Sequence, residues 1–154
     1  MAVVRIRGKV HLRKGIKDTL MLLNLTRVNH CVVVDSRKEY LKMIAKVKDY
    51  VSWGEISAKV MENLVQERGL LQGNKKITND YLKENTPFKD IGDFVKKFMN
   101  FAAEVKDIKN FKPVFRLSPP EKGYERKGIK KPYSKGGALG YRSDKIDNLL
   151  KKMI

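Results

Sequence analysis

The sequence predicts an α+β protein. A β-α-β-α-β core over residues 1–56 is followed by a helical stretch over 57–110. A strand, an extended basic Gly/Pro segment and a closing helix over 111–154 complete one compact protein. Three observations predict this. Short β-branched or alternating runs recur at residues 4–7, 28–34 and 50–53, and each gap between them holds one apolar stripe of helical period. Further helical stripes follow up to residue 102. Residues 112–142 then break both periods, with nine Lys/Arg against two acids, five of the eleven glycines and four of the five prolines.

The elements follow in order. Val4 and Ile6 alternate with Arg5 and Arg7, a strand with one buried and one basic face. Gly8 closes it, and residues 9–15, KVHLRKG, form a basic loop. Ile16, Leu20 and Leu23 fall at i, i+4 and i+7 and mark a helix that ends at Asn24. Val28 to Val34 reads as a strand buried on both faces. Ser36 and Glu39 have the spacing of a capping box, opening a helix with Tyr40, Met43, Ile44 and Val47 on one side. Tyr50 to Trp53 is a short strand closed by Gly54, with Trp53 half buried at its end. Both connections are long enough for a helix crossing back over the sheet, so the helices should pack on one face.

Ser57 is placed to cap the next helix, with Val60, Met61, Leu64 and Val65 buried and Gly69 as its C′ stop. Residues 70–79 read as a loop and Asp80–Glu84 as a helical turn broken before Pro87. Ile91, Phe94, Val95, Phe98 and Ala102 mark another amphipathic helix, and Val114 to Leu117 a short strand. After the Gly/Pro segment, Ser143 caps a final helix carrying Ile146, Leu149, Leu150 and Met153. Its Asp144 and its Lys151 and Lys152 suit the helix dipole.

The formal net charge is +17, and it is uneven. Residues 1–72 are net +7, 73–110 net +2 and 111–154 net +8, a pattern of defined contact surfaces rather than of general solubility. Ordering a backbone costs roughly 1–2 kcal/mol per residue. Between Pro119 and Arg142 only Ile129 and Leu139 are large aliphatics. That stretch cannot fold on a core of its own, so it is disordered or ordered against something else, and its charge makes a polyanion the expected partner.

The chemistry of catalysis is missing. One cysteine, Cys31, in the apolar run HCVVV, reads as a buried structural thiol and rules out an internal disulfide. His11 and His30 lack metal-ligand spacing, and no metal or cofactor is expected. Gly136-Gly137-Ala138-Leu139-Gly140 lacks the P-loop spacing; its glycines instead suit a backbone approaching phosphates. Carboxylates are scattered, with no pair placed for acid/base work. No apolar stretch approaches 18 residues, and arginines occupy the N-terminal region where a signal peptide needs its apolar centre, so a soluble, intracellular protein is expected. The aromatics Phe115, Tyr124, Tyr133 and Tyr141 interleave with the C-terminal cations, as base-stacking residues do.

The runs VVRIRG, RVNHCVVV, VKDYVSWGEI, FRLSPPEKG and GGALGYRSDKIDNLLKKM together resemble the large-subunit ribosomal protein L thirty family, in its long archaeal and eukaryotic form. The resemblance runs over essentially the whole chain, in register. It implies a mainly antiparallel sheet with some likeness to the ferredoxin-like fold. It also implies binding to large-subunit rRNA beside neighbouring ribosomal proteins in the cytoplasm, no catalysis, no cofactor, and no membrane or small-molecule partner. The eukaryotic form carries a long basic N-terminal extension; this chain opens on the first strand and so looks archaeal. Residues 55–154 correspond to what the long form adds to the short bacterial one. Glu121-Lys122-Gly123 departs from the family's usual Arg-Gly-Gly after the double proline.

Two RNA-contacting surfaces are therefore expected. One comprises Arg5, Arg7, Lys9, Arg13 and Lys14. The other comprises Arg116, Lys122, Arg126, Lys127, Lys130, Lys131, Lys135 and Arg142, with Gly123, Gly136, Gly137 and Gly140 letting the backbone approach. Removing everything beyond Ser118 should leave the core folded and weaken RNA binding. The rival readings are a free architectural or chaperone nucleic-acid binder, an RNA-modifying enzyme, for which no site is visible, and an acidic-membrane binder, for which no suitable helix is visible.

Overall fold

The computed structural model describes residues 1–154, apart from the side chain of Lys106. Its strands are β1 (Ala2–Arg5), β2 (His30–Val33), β3 (Val51–Gly54), β4 (Phe115–Arg116) and β5 (Gly140–Tyr141). Its helices are α1 (Lys14–Leu22), α2 (Lys38–Lys46), α3 (Ala58–Arg68), α4 (Asn79–Asn85), α5 (Ile91–Met99) and α6 (Ile146–Lys151). The five strands form one sheet in the order β4-β2-β1-β3-β5. All neighbours are antiparallel except β3 and β5. The mixed α+β, mainly antiparallel fold is thus as expected.

The register corrects one detail of the connections. β1 is antiparallel to both β2 and β3, so β2 and β3 run parallel with β1 between them. Only α2 crosses over; the α1 connection returns to the end of the sheet it left.

Both faces of the sheet are apolar, and the period-2 alternation divides them. Val3 and Val32 face one cluster with Leu20 and Leu23 of the α1 region and Ile44 and Val47 of the α2 region. The core unit therefore carries its two helices on one face. Ala2, Val4, Cys31 and Val33 face the other cluster, which α3, α5 and α6 fill with Val60, Leu64, Phe94, Ile146 and Leu150. Burial pushes the Cys31 thiol up to about 12, so it stays protonated and inert.

Three expected end signals behave differently. α2 is entered through an extended Arg37, not through a Ser36 cap. Arg37 pairs with Asp35 at 2.5 Å and with Glu104 at 3.3 Å, which holds this corner extended and starts the helix one residue late. Gly69 is the C-cap itself, at φ −68°, rather than a left-handed C′ residue. Ser143 does not cap α6; it sits at φ +53° in a 3-10 turn over 143–145. The Ser57 cap is as expected, with its side chain accepting from the Val60 N–H.

That 3-10 turn explains Gly54. A Cβ at Gly54 would run into the Ser143 carbonyl oxygen and crowd Ile146. We expect Gly54→Ala to destabilise the protein by about 1–3 kcal/mol, the usual range for overpacking a filled core. Thermal unfolding checks it; an unchanged Tm would show that the turn can shift freely.

The expectation that the chain beyond Ser118 is dispensable for the core is wrong. Ile146, Leu150 and Met153 are fully buried, and Leu149 nearly so. Each such side chain is worth about 1.5–3 kcal/mol of burial, so this cut removes a wall of the core.

Candidate nucleic-acid interface

The register places Arg5, His30, Val51, Arg116 and Gly140 at one end of the sheet. The loop after β1, the turn before β2 and the segment joining β4 to β5 all leave or enter at this end. The loop that carries the first expected surface and both ends of the segment that carries the second therefore meet at one end of the sheet. Lys9, Arg13, Lys14, Arg116, Lys122, Arg126, Lys127, Lys130, Lys131 and Lys135 are all exposed there or in the segments that start there. None of the ten makes a salt bridge among the described residues.

The segment over 118–139 straps the protein. It is not free, and what orders it is the protein itself. Leu117 donates to the Asn29 carbonyl at 3.0 Å, Ser118 to Met153 at 2.9 Å and Glu121 to Lys152 at 2.9 Å. The Tyr124 hydroxyl donates to Asn29 Oδ1 at 3.1 Å. Further on the strap folds back on itself, Ala138 N–H reaching the Gly128 carbonyl at 3.1 Å and Leu139 N–H that of Lys131 at 3.2 Å. Ala138 and Leu139 are buried in the main cluster. Sequence reasoning missed this because most of the anchors are backbone groups, and Tyr124, Ala138 and Leu139 are too scattered to leave a hydrophobic period.

A buried arginine locks the far end of the strap. Arg142 is 4% exposed. Its guanidinium grips Glu125 through both terminal nitrogens, Nη1 to Oε1 and Nη2 to Oε2, the second at 2.7 Å. Nε donates to Ser52 Oγ at 2.6 Å, and Nη2 also reaches the Ala138 carbonyl at 2.9 Å. The Tyr133 ring lies 4.5 Å from the guanidinium carbon, a cation–π contact. Burial pushes the Glu125 carboxyl up, but the Arg142 hydrogen bonds, a bond from its own backbone N–H and the charges of Arg142 and Lys152 together outweigh it and hold the group below its ordinary value. Glu125 and Ser52 are the partners of this arginine that sequence reasoning missed. The only available signal was that Glu125 is one of two acids in a run of cations.

The buried guanidiniums correct the expected site. Arg142 is a structural clamp, not a solvent-facing contact. Arg5 is 3% exposed, because its strand has two apolar faces rather than one. Its Nη1 donates to the Leu25 carbonyl at 2.7 Å and its Nε to that of Arg7 at 2.9 Å. Arg7 is half-buried, donating to the Asp49 carbonyl at 3.1 Å over the Tyr50 ring. Of the glycines, Gly137 is required by its own chain: a Cβ there would run into the Lys131 carbonyl. Gly136 turns the strap at φ +83° with the Lys127 side chain against it. Gly123 and Gly140 stand in left-handed backbone facing open space. Phe115 is a core residue and Tyr133 is engaged by Arg142, so neither is free to stack on a base. Tyr141 is 53% exposed, tilted against Trp53 with its hydroxyl on Glu55.

The positive field at this end is felt by His30. Burial lowers its basicity, a backbone hydrogen bond at Asn24 opposes this, and Arg116, Arg27 and Arg5 lower it further. Burial and the neighbouring guanidiniums thus disfavour a charge on the imidazole.

A relative from Methanopyrus kandleri named large ribosomal subunit protein uL30 is 47% identical over 149 residues, covering 97% of this chain and all of that protein. The chain belongs to the uL30 family. The uL30 protein of Methanococcus maripaludis strain C5 is 50% identical over 153 residues, 99% of this chain and 98% of that one. That of Methanosphaera stadtmanae is 47% identical over 153 residues, 99% of each. A family model described as ribosomal protein L30p/L7e matches residues 1–51, from β1 to the first residue of β3. uL30 is a family of structural proteins, not of enzymes. Among the described residues no group of three or more His, Cys, Asp or Glu side chains could hold a metal ion. No helix is long and apolar enough to cross a membrane.

Proposed function

We propose that this uL30 protein is a structural constituent of the cytoplasmic large ribosomal subunit that binds rRNA with the basic end of its sheet and the strap beside it. One observation carries the reading: ten exposed cations without salt-bridge partners, gathered at or strung from that end. Cations kept free of carboxylates are available to phosphates, and binding releases the counterions of the RNA. The half-buried Arg7 borders this surface, whereas Arg5 and Arg142 serve as positioning residues. The surface offers points of charge on a rigid frame, so recognition is mainly of backbone and shape. The stretches 1–56, 57–110 and 111–154 act as one body, since all three supply side chains to the same buried cluster. Neighbouring large-subunit proteins complete the set of partners.

Sedimentation of the tagged protein from lysate tests the reading, at low salt and after a moderate salt wash. Co-migration with the large subunit under both conditions is expected. A peak at the top of the gradient, or one that follows DNA, would overturn it in favour of a free architectural binder.

A further inference from the structure

The opposite end of the sheet has the opposite character. There the register brings Ala2, Val33 and Gly54 level. Just beyond them lies a hollow of about 170 Å³ walled by Val34, Ile56, Phe98, Met99 and Phe101. A second hollow, of about 370 Å³, adjoins it and shares Asp35, Ser36 and Phe101. Together they form a trough that is apolar in the smaller hollow and polar in the larger, where Asp35, Ser36, Arg37 and Glu104 stand beside Phe101 and Ala103; its carboxylates are Asp35, Glu55 and Glu104. The cations facing them are Arg37, paired with Asp35 and Glu104, and the N-terminal ammonium, which donates to the Val34 carbonyl at 2.7 Å. Three carboxylates against two cations leave the trough one negative charge in excess, a local reversal in a chain of net charge +17.

Phe101 marks the trough as more than a crease. Its ring is 75% exposed. Its backbone sits at φ +58°, the left-handed C′ position after α5, with Phe101 N–H on the Phe98 carbonyl and Ala102 N–H on that of Lys97. This is a Schellman ending with a bulky aromatic where glycine is the usual residue. A local rule broken at an exposed apolar residue points to a use for that residue.

We propose that this trough docks an extended basic segment of a neighbouring protein, seating an aliphatic side chain against Phe101 and Met99 and its Lys or Arg side chains on Asp35, Glu55 and Glu104. Carboxylates beside an apolar floor repel phosphate, so RNA is the wrong occupant. They match a cationic peptide with apolar anchors, the kind of segment that reaches between RNA-bound proteins. The two ends of the sheet then divide the work, RNA at one and protein at the other. The assignment of the neighbour to the large subunit rests on the function proposed above; the chemistry of the trough does not.

Two experiments test it together. In the first, Phe101→p-benzoylphenylalanine is carried by the full chain in cells, and large subunits are irradiated after sedimentation. A crosslink to a Lys/Arg-rich segment of another protein is expected. A crosslink to RNA, to an acidic segment or to a second copy of this chain would overturn the proposal, as would no crosslink from a protein that co-sediments. In the second, purified protein is titrated with a synthetic decapeptide of alternating Lys and Leu and with its Glu/Leu counterpart, followed by amide NMR shifts. Shifts at Val34, Glu55 and Phe101 are expected with the Lys peptide alone, weakened at least tenfold by Glu104→Gln with Asp35→Asn. Equal binding of both peptides, or shifts only at the other end, would overturn it. Failure to co-sediment with a positive titration would count against the ribosomal reading and leave the trough standing.

Discussion

Arg142→Ala is expected to loosen the strap and lower stability by about 3 kcal/mol. This is the low end of the range for breaking a buried pair, because Glu125 keeps 28% of its side chain exposed. For a chain of this size that is a drop in Tm of about 6–12 °C. The loss arises because Ser52 Oγ and the Ala138 carbonyl lose the donor that reaches them inside the protein. Glu125→Gln should be at least as damaging, since it leaves the guanidinium buried without its counter-charge. Hydrogen exchange should show the 118–141 amides opening in both variants while β1 and β2 stay protected; unchanged exchange in the strap would refute the clamp. Acid tests the same pair. The folded Glu125 carboxyl lies below its ordinary 4.5, so its contribution is fully present above that value and is lost as pH falls through the lower folded value. The stability gap between the parent and Arg142→Ala should shrink across that acid window. A gap that persists below it would mean the charge of Glu125 contributes nothing.

Replacing Lys122, Arg126, Lys127, Lys130, Lys131 and Lys135 together by glutamine should leave the fold intact, because all six are exposed and without salt-bridge partners. Binding to large-subunit rRNA should change greatly. A protein that neutralises six to ten phosphates binds roughly 10³–10⁵-fold more weakly at about 200 mM salt than at about 50 mM. Every phosphate left without its cation lowers the slope of log K against log salt by about 0.9 on duplex-like sites. A slope reduced by about 5 is therefore expected if all six touch phosphate. An unaltered slope would take the strap out of the interface.

Much of this was legible in the residues, and the parts that were not share a cause. The helical stripes of α1, α2, α3 and α5 and the three core strands follow from local period. The burial of Arg5 does not, because Arg5 shares a face with Val3, and the α1 and α2 regions pack on that face while α3, α5 and α6 cover the Val4 and Ile6 face. Residues 118–142 show the same limit. Their composition correctly implied that they cannot make a core alone. Yet the partner that orders them is a set of backbone carbonyls, Asn29, Ser52 and a lone glutamate, none of which has a periodic signature. The clamp joins residues 17 and 90 positions apart. The Ser36 and Ser143 caps failed because tertiary contacts set the chain direction at both places, the Arg37–Glu104 pair at one and the Arg142 N–H on the Trp53 carbonyl at the other. The cationic character of these segments was fully visible in the sequence; that they leave and enter at one end of the sheet required the register.

The edge pairing of β3 with β5 also sets the order in which the molecule can be made. Ser52 and Gly140 are neighbours in the sheet but leave the synthetic machinery 88 residues apart. The β-α-β-α-β unit therefore emerges with both outer strand edges unpaired, that of β2 awaiting β4 and that of β3 awaiting β5, and with Ala2, Val4, Cys31 and Val33 bare on its second face. Synthesis at about 5–20 residues per second leaves that surface uncovered for several seconds before α6 arrives. Closing a loop this long is a late and slow step, and an open apolar edge is the aggregation hazard of nascent chains. The last dozen residues complete a folding reaction that the first fifty begin.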